Sequence, residues 1–531
     1  MIRVPFVHLF QTESCKYAYD VNSNDIVKMS DAAFDILTLL LSGIPESEVR
    51  KELQRDYSEE EISSTCDQLE SLQAEGRLFS DKKPKELLYL PCEHVWENMY
   101  DLFIEQITLE VTQRCNMRCR YCSYTDIYPE NRGYNNLDMP WETAKTAMDY
   151  LLAHGGREAN PLKNRPQASR DFSLAFYGGE PLLRVDFVVD CVRYIKERLS
   201  QDRECHFSLT TNATLLDSST VKCLMDNGVS ITISLDGPRE IHDKARVFPD
   251  GRGTYDKVLE AIENMQSYAS TLKPDTPISS MINCVTAGGF DWVELWDYFT
   301  SLENLLYTPY MQFVINKNSM EGGLSAWNNA YPDDQLSEAT GFRQVWDEYE
   351  KACLAGVYRN ETGTVSWRML VLDYLVRQNY FFEVHGRTRN QYEGQFELPD
   401  AYHPGGICLV GKRRPYVMVD GTILPCERVP TNNKYFCMGK IEDGISWKKG
   451  KELVDDFTKM SEEDCKSCWC LRMCGIGCTR DMIVGGSPSA EKKIAACYRL
   501  RECRHHDLIH MTTLLEKDPA VLDHFDKVLV S

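Results

Sequence analysis

The 531-residue chain is long enough for about three or four domains, and its 43% apolar content is ordinary for a globular protein with ample core. Against 80 Asp and Glu stand 59 Lys and Arg, a net charge of −21 that argues against a nucleic-acid or anionic-membrane partner, since either wants a basic face. No apolar run approaches the roughly 20 residues of a membrane span, and Met1–Phe10 lacks the pattern of a signal peptide, so a cytoplasmic protein is expected. In that reducing compartment 21 cysteines point to metal or redox chemistry and not to disulfides.

Residues 1–85 read as one unit. Tyr17–Asp20 and Ile26–Met29 flank a turn at 22–25 and suggest a hairpin. Ser30 is placed to cap a helix over Ala32–Leu41, and Pro45 opens a second one carrying Val49 and Leu53. Ser58 and Glu61 form a capping box for a third, with Ile62, Cys66, Leu69 and Leu72 on its inner face. Gly76 stops it, and Leu78-Phe79 is expected to return as a strand. The outline is winged-helix-like, but the acidic third helix (Glu59, Glu60, Glu61, Asp67, Glu70) speaks against DNA. Asp81–Glu86 reads as a linker.

Over 100–316 strands and helices alternate. Strands are expected at Ile107–Val111, Phe172–Tyr177, His206–Thr210, Val229–Leu235, Ile278–Val285 and Tyr310–Ile315, with helices such as Trp141–Ala153 and Val185–Leu199 between them. This predicts an α/β fold, a parallel sheet that is open or curled into a partial (β/α)6 TIM-like barrel, with the chemistry at the C-terminal strand ends. Residues 317–400 read as a helical connecting segment. Residues 401–531 are cysteine-rich and short of long periodic elements, as in a domain held together by metal.

After the first barrel strand comes Cys115-x3-Cys119-x2-Cys122. Three thiolates this close can converge on an iron–sulfur cluster, which normally takes four ligands, so one iron stays open to a substrate or cofactor. A thioredoxin-like Cys119/Cys122 pair would have no use for Cys115; three legs of a zinc site are the other alternative. Gly178-Gly179-Glu180-Pro181, Thr210-Thr211-Asn212 and Ile233-Ser234-Leu235-Asp236-Gly237-Pro238 fall at three later strand ends. Singly each would be a turn. In this order they resemble the radical S-adenosylmethionine (radical SAM) enzymes. The resemblance implies that Cys115, Cys119 and Cys122 hold a catalytic [4Fe–4S] cluster. By the same resemblance Gly178, Gly179 and Glu180 receive the amino group of S-adenosylmethionine, with Asn212, Ser234 and Asp236 at the neighbouring strand ends. Arg246 would meet the methionine carboxylate, Tyr121 the adenine, and Met311 would wall the same pocket.

Downstream, Cys408 and Cys426 precede Cys465-x2-Cys468-x5-Cys474-x3-Cys478 and then Cys497. Seven cysteines are too many for one zinc and nearly enough for two clusters. The spacing resembles the SPASM extension of radical enzymes that modify peptides and proteins. That resemblance implies an outer auxiliary [4Fe–4S] cluster on Cys465, Cys468, Cys474 and Cys497 and an inner one on Cys408, Cys426 and Cys478, three clusters in all. The fully ligated form of the family has one more cysteine just before the position of Cys408, and Tyr402–Ile407 contains none. Either an iron is left open there, or His403 or Cys437 fills the gap. Glu427 follows Cys426 where sulfatase-maturing relatives carry an aspartate proposed as a base; a partner for Arg428 or Arg413 is its other reading.

The N-terminal unit resembles the recognition element of ribosomal-peptide (RiPP) maturases, where a leader peptide adds a strand to a sheet edge. The whole then implies an enzyme that installs cysteine thioethers, of the sactipeptide or ranthipeptide type, in a precursor peptide with a leader. A flavodoxin or ferredoxin would supply electrons. Carbon–carbon crosslinking of a peptide, or anaerobic sulfatase maturation through formylglycine, is the alternative reading, and a protein whose clusters only carry electrons is the non-enzymatic one. On this reading the module sets substrate affinity separately from the barrel's chemistry.

Overall fold

A computed structural model describes residues 2–88, 92–156, 171–273, 280–320, 323–355, 366–376, 397–402, 408, 410–484 and 486–519. The chain opens with a three-stranded antiparallel sheet, β1 (Val7–Gln11), β2 (Lys16–Asp20) and β3 (Asp25–Met29), followed by helices α1 (Asp31–Leu41), α2 (Glu46–Leu53) and α3 (Glu59–Ala74). Ser30 and Ser58 cap α1 and α3, each hydroxyl accepting from a backbone N–H at 3.2 Å. Two details differ from expectation. β1 adds a strand before the hairpin, and Leu78-Phe79 forms none. Phe79 instead takes a φ of +60°, buries its ring and donates its N–H to the Asp20 carboxylate, which closes the unit.

After a short strand, β4 (Glu86–Leu87), come six strands that pair in sequence order and all run parallel: β5 (Gln106–Thr112), β6 (Asp171–Gly178), β7 (Glu204–Thr211), β8 (Val229–Ser234), β9 (Ser280–Thr286) and β10 (Phe313–Ser319). This is the expected partial barrel. Alternation along the strands decides what lies inside it. Ile231, Ile233, Ile282, Cys284, Phe313 and Ile315 are buried in the core. Thr232, Met281, Asn283, Asn316 and Asn318 line an internal cavity. A closed barrel fills its centre with aliphatic side chains; here polar residues leave a lumen.

β10 begins later than the sequence suggests. Thr308-Pro309 bends the chain, the Thr308 hydroxyl accepting from Tyr310 and Met311 N–H groups at 3.3 and 3.1 Å, so the strand starts only at Phe313. Met311 therefore lies before the N-terminal end of the strand, packed in the core.

The cysteine-rich segment joins the barrel's sheet. β11 (Ala401–Tyr402) pairs with β4, so part of the expected linker is a strand. The hairpin β12 (Tyr416–Val417) and β13 (Ile423–Leu424) extends the sheet beyond β5. Fully buried Glu110 ties this edge together, accepting from Arg132 Nε, Gln113 Nε2 (3.0 Å) and Val419 N (3.0 Å).

The N-terminal module is fused to the same body. Phe6, Phe10 and Tyr19 share one apolar cluster with Leu471, Met473, Leu508 and Met511. Buried Arg472 donates to the Val21 and Asn22 carbonyls at 2.6 Å each. The module and the C-terminal segment thus share a core. Among the described residues no helix is long and apolar enough to cross a membrane.

Candidate active site

From Thr112 the chain leaves β5 and runs through Gln113 and Arg114 into the cysteine loop, whose Cys115, Cys119 and Cys122 all line a cavity of about 230 Å³ at the C-terminal strand ends. Two glycines permit this path. A Cβ on Gly178 (φ +130°) would lie 2.3 Å from the Thr112 carbonyl, and one on Gly179 2.0 Å from that of Arg114. The Gly179 and Glu180 N–H groups donate to those same carbonyls, both at 2.8 Å. What presses on the glycines is the backbone leading into the cysteines. From the other side Arg118 and Arg120 N–H groups donate to the Val247 and Ala245 carbonyls at 2.8 Å.

Burial pushes the Cys115 and Cys119 thiols up to about 12, in Cys119 against the pull of nearby Arg246. Thiols so placed keep their protons unless a metal displaces them. Three sulfurs on one cavity wall, with space beside them, fit a cluster that leaves one iron open.

Glu180 is deeply buried, and its carboxylate accepts from Leu182 N (3.0 Å), Thr211 Oγ1 (2.8 Å) and Asn212 N (2.8 Å). It braces the ends of β6 and β7 and keeps about one acceptor direction for a ligand. The Asn212 amide donates to Asn116 Oδ1 at 2.9 Å and lies 3.9 Å from Cys115 Sγ, so it also positions the loop. Arg246 Nη1 reaches Tyr121 Oη at 3.1 Å and lies 3.9 Å from Cys119 Sγ. Tyr121 donates to Asp236, whose other oxygen accepts from Val285 N at 3.0 Å.

Tyr121, Gly178, Gly179, Glu180, Asn212, Ser234 and Arg246 thus border one cavity with the three cysteines. Asp236 does not line it. It stands behind the wall, 3.7 Å from Arg246 Nε, and balances that cation. Met311 is a correction: it lies at the opposite end of β10, and Met320, just past the strand, takes the wall position. Sequence reasoning also missed Tyr134, Tyr177 and Asn283. The inward register of β6 and β9 could have found the last two; Tyr134 arrives from an irregular loop with no local signal.

In the C-terminal segment, Cys465, Cys468, Cys474 and Cys497 gather. Burial first, and then the neighbouring sulfurs of Cys468, Cys465 and Cys497, push the Cys474 thiol up to about 12. Cys408 N donates to the Gly477 carbonyl at 3.0 Å, bringing Cys408 beside Cys478. Cys426, pushed up to about 12 by burial and by Glu427, also faces Cys478. Both groups have the donor chemistry of iron–sulfur sites. The Cys437 thiol turns to the Gly439 carbonyl at 3.9 Å, and His403 lies outside the described residues. Glu427 Oε1 lies 3.3 Å from Arg414 and 3.8 Å from Arg428, while its Oε2 is buried with no hydrogen-bond partner among the described residues.

Residues 109–272 match the Radical SAM superfamily. This part of the chain therefore carries a radical SAM domain. The chain is similar to the cysteine-type anaerobic sulfatase-maturating enzyme of Clostridium novyi (29% identity, covering 38% of this chain and 48% of that one). It is also similar to the enzyme of the same description from Clostridium perfringens (23%, covering 69% and 86%). The chain thus spans about half the length of the first relative. Among solved structures it is similar to anSMEcpe with bound AdoMet, with a TM-score of 0.49 and 19% identity over 79% of this chain and 98% of that one.

Proposed function

We propose that the protein is a radical SAM peptide maturase that installs cysteine thioethers in a ribosomally made precursor with a leader. The observation that carries this reading is the adjacency of two cavities. The cavity at Cys115, Cys119 and Cys122 shares Ser123, Tyr124, Tyr177, Thr210, Asn283 and Val285 with a lumen of about 440 Å³, on whose wall stands Glu427, next to Cys426.

When bound, a [4Fe–4S] cluster and S-adenosylmethionine supply the one-electron chemistry that removes a hydrogen atom from carbon. The chain's own residues bind and orient. Gly178, Gly179 and Glu180 would hold the amino group of S-adenosylmethionine, Arg246 its carboxylate and Tyr121 its adenine, with Ser234 alongside. Glu427 would accept a proton in the lumen, its Oε2 having no hydrogen-bond partner among the described residues. Cys465, Cys468, Cys474 and Cys497 would hold one auxiliary cluster, and Cys408, Cys426 and Cys478 the other. The three-stranded sheet β1–β3 would take the leader as an added strand, and a flavodoxin or ferredoxin would deliver electrons.

Sulfatase maturation is the second reading, favoured by the sulfatase-maturating relatives. One experiment separates them. Anaerobically reconstituted enzyme is incubated with S-adenosylmethionine, a reductant and synthetic peptides taken from short reading frames beside the gene, with a sulfatase-derived peptide in parallel. A thioether product loses two hydrogens and keeps its sulfur, whereas formylglycine made from cysteine loses the sulfur. The triple variant Cys115→Ala, Cys119→Ala, Cys122→Ala should form no 5′-deoxyadenosine, and its formation by that variant would overturn the assignment of the catalytic loop.

A further inference from the structure

Behind the Asp236–Arg246 contact stands a histidine that is joined to both of its members. His242 lies between them in the chain, on the short helix Arg239–Ala245, and its ring is fully buried. The Asp236 N–H donates to His242 Nδ1 at 3.3 Å, so Nδ1 is the bare nitrogen and Nε2 carries the hydrogen. Nε2 donates to Thr254 Oγ1 at 3.1 Å, and the Thr254 hydroxyl donates in turn to the Arg246 carbonyl at 3.1 Å. Burial, with Arg246 and Arg239 nearby, holds the His242 pKa well below its ordinary value, so the ring stays neutral and keeps this tautomer. Thr254 is itself buried and fixed in place, since Asp243 Oδ1 accepts from the Thr254 and Tyr255 N–H groups at 2.7 and 2.8 Å. The chain of hydrogen bonds therefore ends on the backbone of Arg246, between the two carbonyls, of Ala245 and Val247, that hold the cysteine loop.

We propose that His242, acting through Thr254, is a positioning residue for Arg246 and sets its guanidinium where the carboxylate of S-adenosylmethionine is received. The inference rests on the reading of Arg246 as that carboxylate's partner and goes beyond it by naming what aims the cation. Arg246 Nη1 donates to Tyr121 Oη at 3.1 Å, and its Nε lies 3.7 Å from Asp236. A planar guanidinium matches a carboxylate through paired N–H donors in a fixed plane, so a small shift of its backbone spoils the match. His242 holds the backbones of Asp236 and Arg246 together, accepting from the first and reaching the second through Thr254. A neutral imidazole can do both because one nitrogen accepts while the other donates across a rigid ring. An amide side chain at 242 would keep only one of the two contacts.

The test uses the full-length, cluster-reconstituted protein, with S-adenosylmethionine binding measured by anaerobic equilibrium dialysis. Iron content and circular dichroism report whether each variant folds. Thr254→Val keeps the size of the side chain and breaks the link to Arg246. It should weaken binding about tenfold, the scale of a buried polar group that loses its partner, and Thr254→Ser, which keeps the hydroxyl, should restore it. In an Arg246→Gln background the loss caused by Thr254→Val should vanish, because the side chain it positions is gone. Equal losses in the two backgrounds would mean that the link only holds the fold, and would overturn the proposal. Tight binding by Thr254→Val itself would do the same. Should Thr254→Val fail to fold, His242→Asn, which keeps only the Asp236 contact, runs the same cycle. Should Arg246→Gln bind too weakly to measure, decarboxylated S-adenosylmethionine replaces that background, and its affinity should be unchanged by Thr254→Val. An Arg246→Gln protein that binds S-adenosylmethionine as tightly as the unaltered one would instead remove Arg246 from the carboxylate, and the proposal would fall with the reading beneath it.

Discussion

The imidazole of His8, in β1, lies flat on the indole of Trp469, with ring centroids 3.6 Å apart and planes within 7° of parallel. His8 Nε2 is also 2.9 Å from His505 Nδ1 on the helix Ala490–Lys517. Trp469 stands between Cys468 and Cys470, so the N-terminal module and the outer cysteine group share one packing surface. Deleting residues 1–85 would uncover Leu471, Met473, Leu508 and Met511 along with that indole. The truncated protein is expected to aggregate or to lose iron from the outer group, and a soluble truncation with full iron content would refute the shared core. His8→Ala is the milder probe. It should lower stability by roughly 1 kcal/mol, the worth of an aromatic pair, as read by chemical denaturation.

The same contact carries a pH dependence. Burial, and then the neighbouring His505, lowers the His8 pKa to about 3. Because the folded value lies below the unfolded one of about 6.5, the unfolded chain binds more protons between the two. The contribution of His8 is therefore full above about pH 6.5 and is lost as the pH falls toward 3, with a slope of at most about 1.4 kcal/mol per pH unit. His8→Phe keeps a ring on Trp469 and cannot titrate. Its stability should fall less steeply below about pH 6 than that of the unaltered protein; parallel curves would show that His8 is not the titrating group.

Gly179 tests the cysteine loop without touching a sulfur. A methyl there would have to displace the Arg114 carbonyl that leads into Cys115, and backbone in such contact gives way only by moving the loop. Gly179→Ala should lose iron from the first group and lower S-adenosylmethionine cleavage at least about tenfold, the range opened when a catalytic geometry shifts by an ångström or so. Iron in the auxiliary groups should be retained, as measured by iron content against the triple cysteine variant. Full iron and full cleavage would mean the turn tolerates a Cβ after all.

Glu427→Gln keeps the shape of the side chain and its place near Arg414 and Arg428 while removing the basic oxygen. Iron content and fold should be unchanged, and peptide product should form about a hundredfold more slowly, the low end of general-base contributions. Unchanged turnover would return Glu427 to the role of an ion-pair partner.

Several features were legible because their causes are local. The caps at Ser30 and Ser58 need only a hydroxyl and an N–H within three residues. The Cys115-x3-Cys119-x2-Cys122 spacing constrains its sulfurs within a single loop. The inward set Thr232, Asn283, Asn316 and Asn318, which the sequence alone did not single out, follows from alternation along a strand only once the strand's frame is known. Met311 shows how that last condition fails. The strand's start was set by the turn at Thr308-Pro309, and a shift of a few residues carried the predicted wall residue to the wrong end, leaving Met320 in its place.

By itself, then, the sequence determined the class of chemistry: clustered thiols after a first barrel strand, strand ends carrying Gly178, Asn212 and Ser234 around them, and Arg246 a short helix further on. Tertiary structure alone decided which of those residues face the cavity, that Asp236 backs Arg246 from behind, and that Arg414, Arg428 and Arg480 converge on the lumen beside Glu427. It alone decided that the module is no separate bead, since Arg472 binds the Val21 carbonyl across 451 residues of chain. The physical reason is one of range. Spacing and periodicity report contacts within a turn or a strand, whereas packing between distant segments depends on the summed shape and polarity of surfaces that exist only once both have folded.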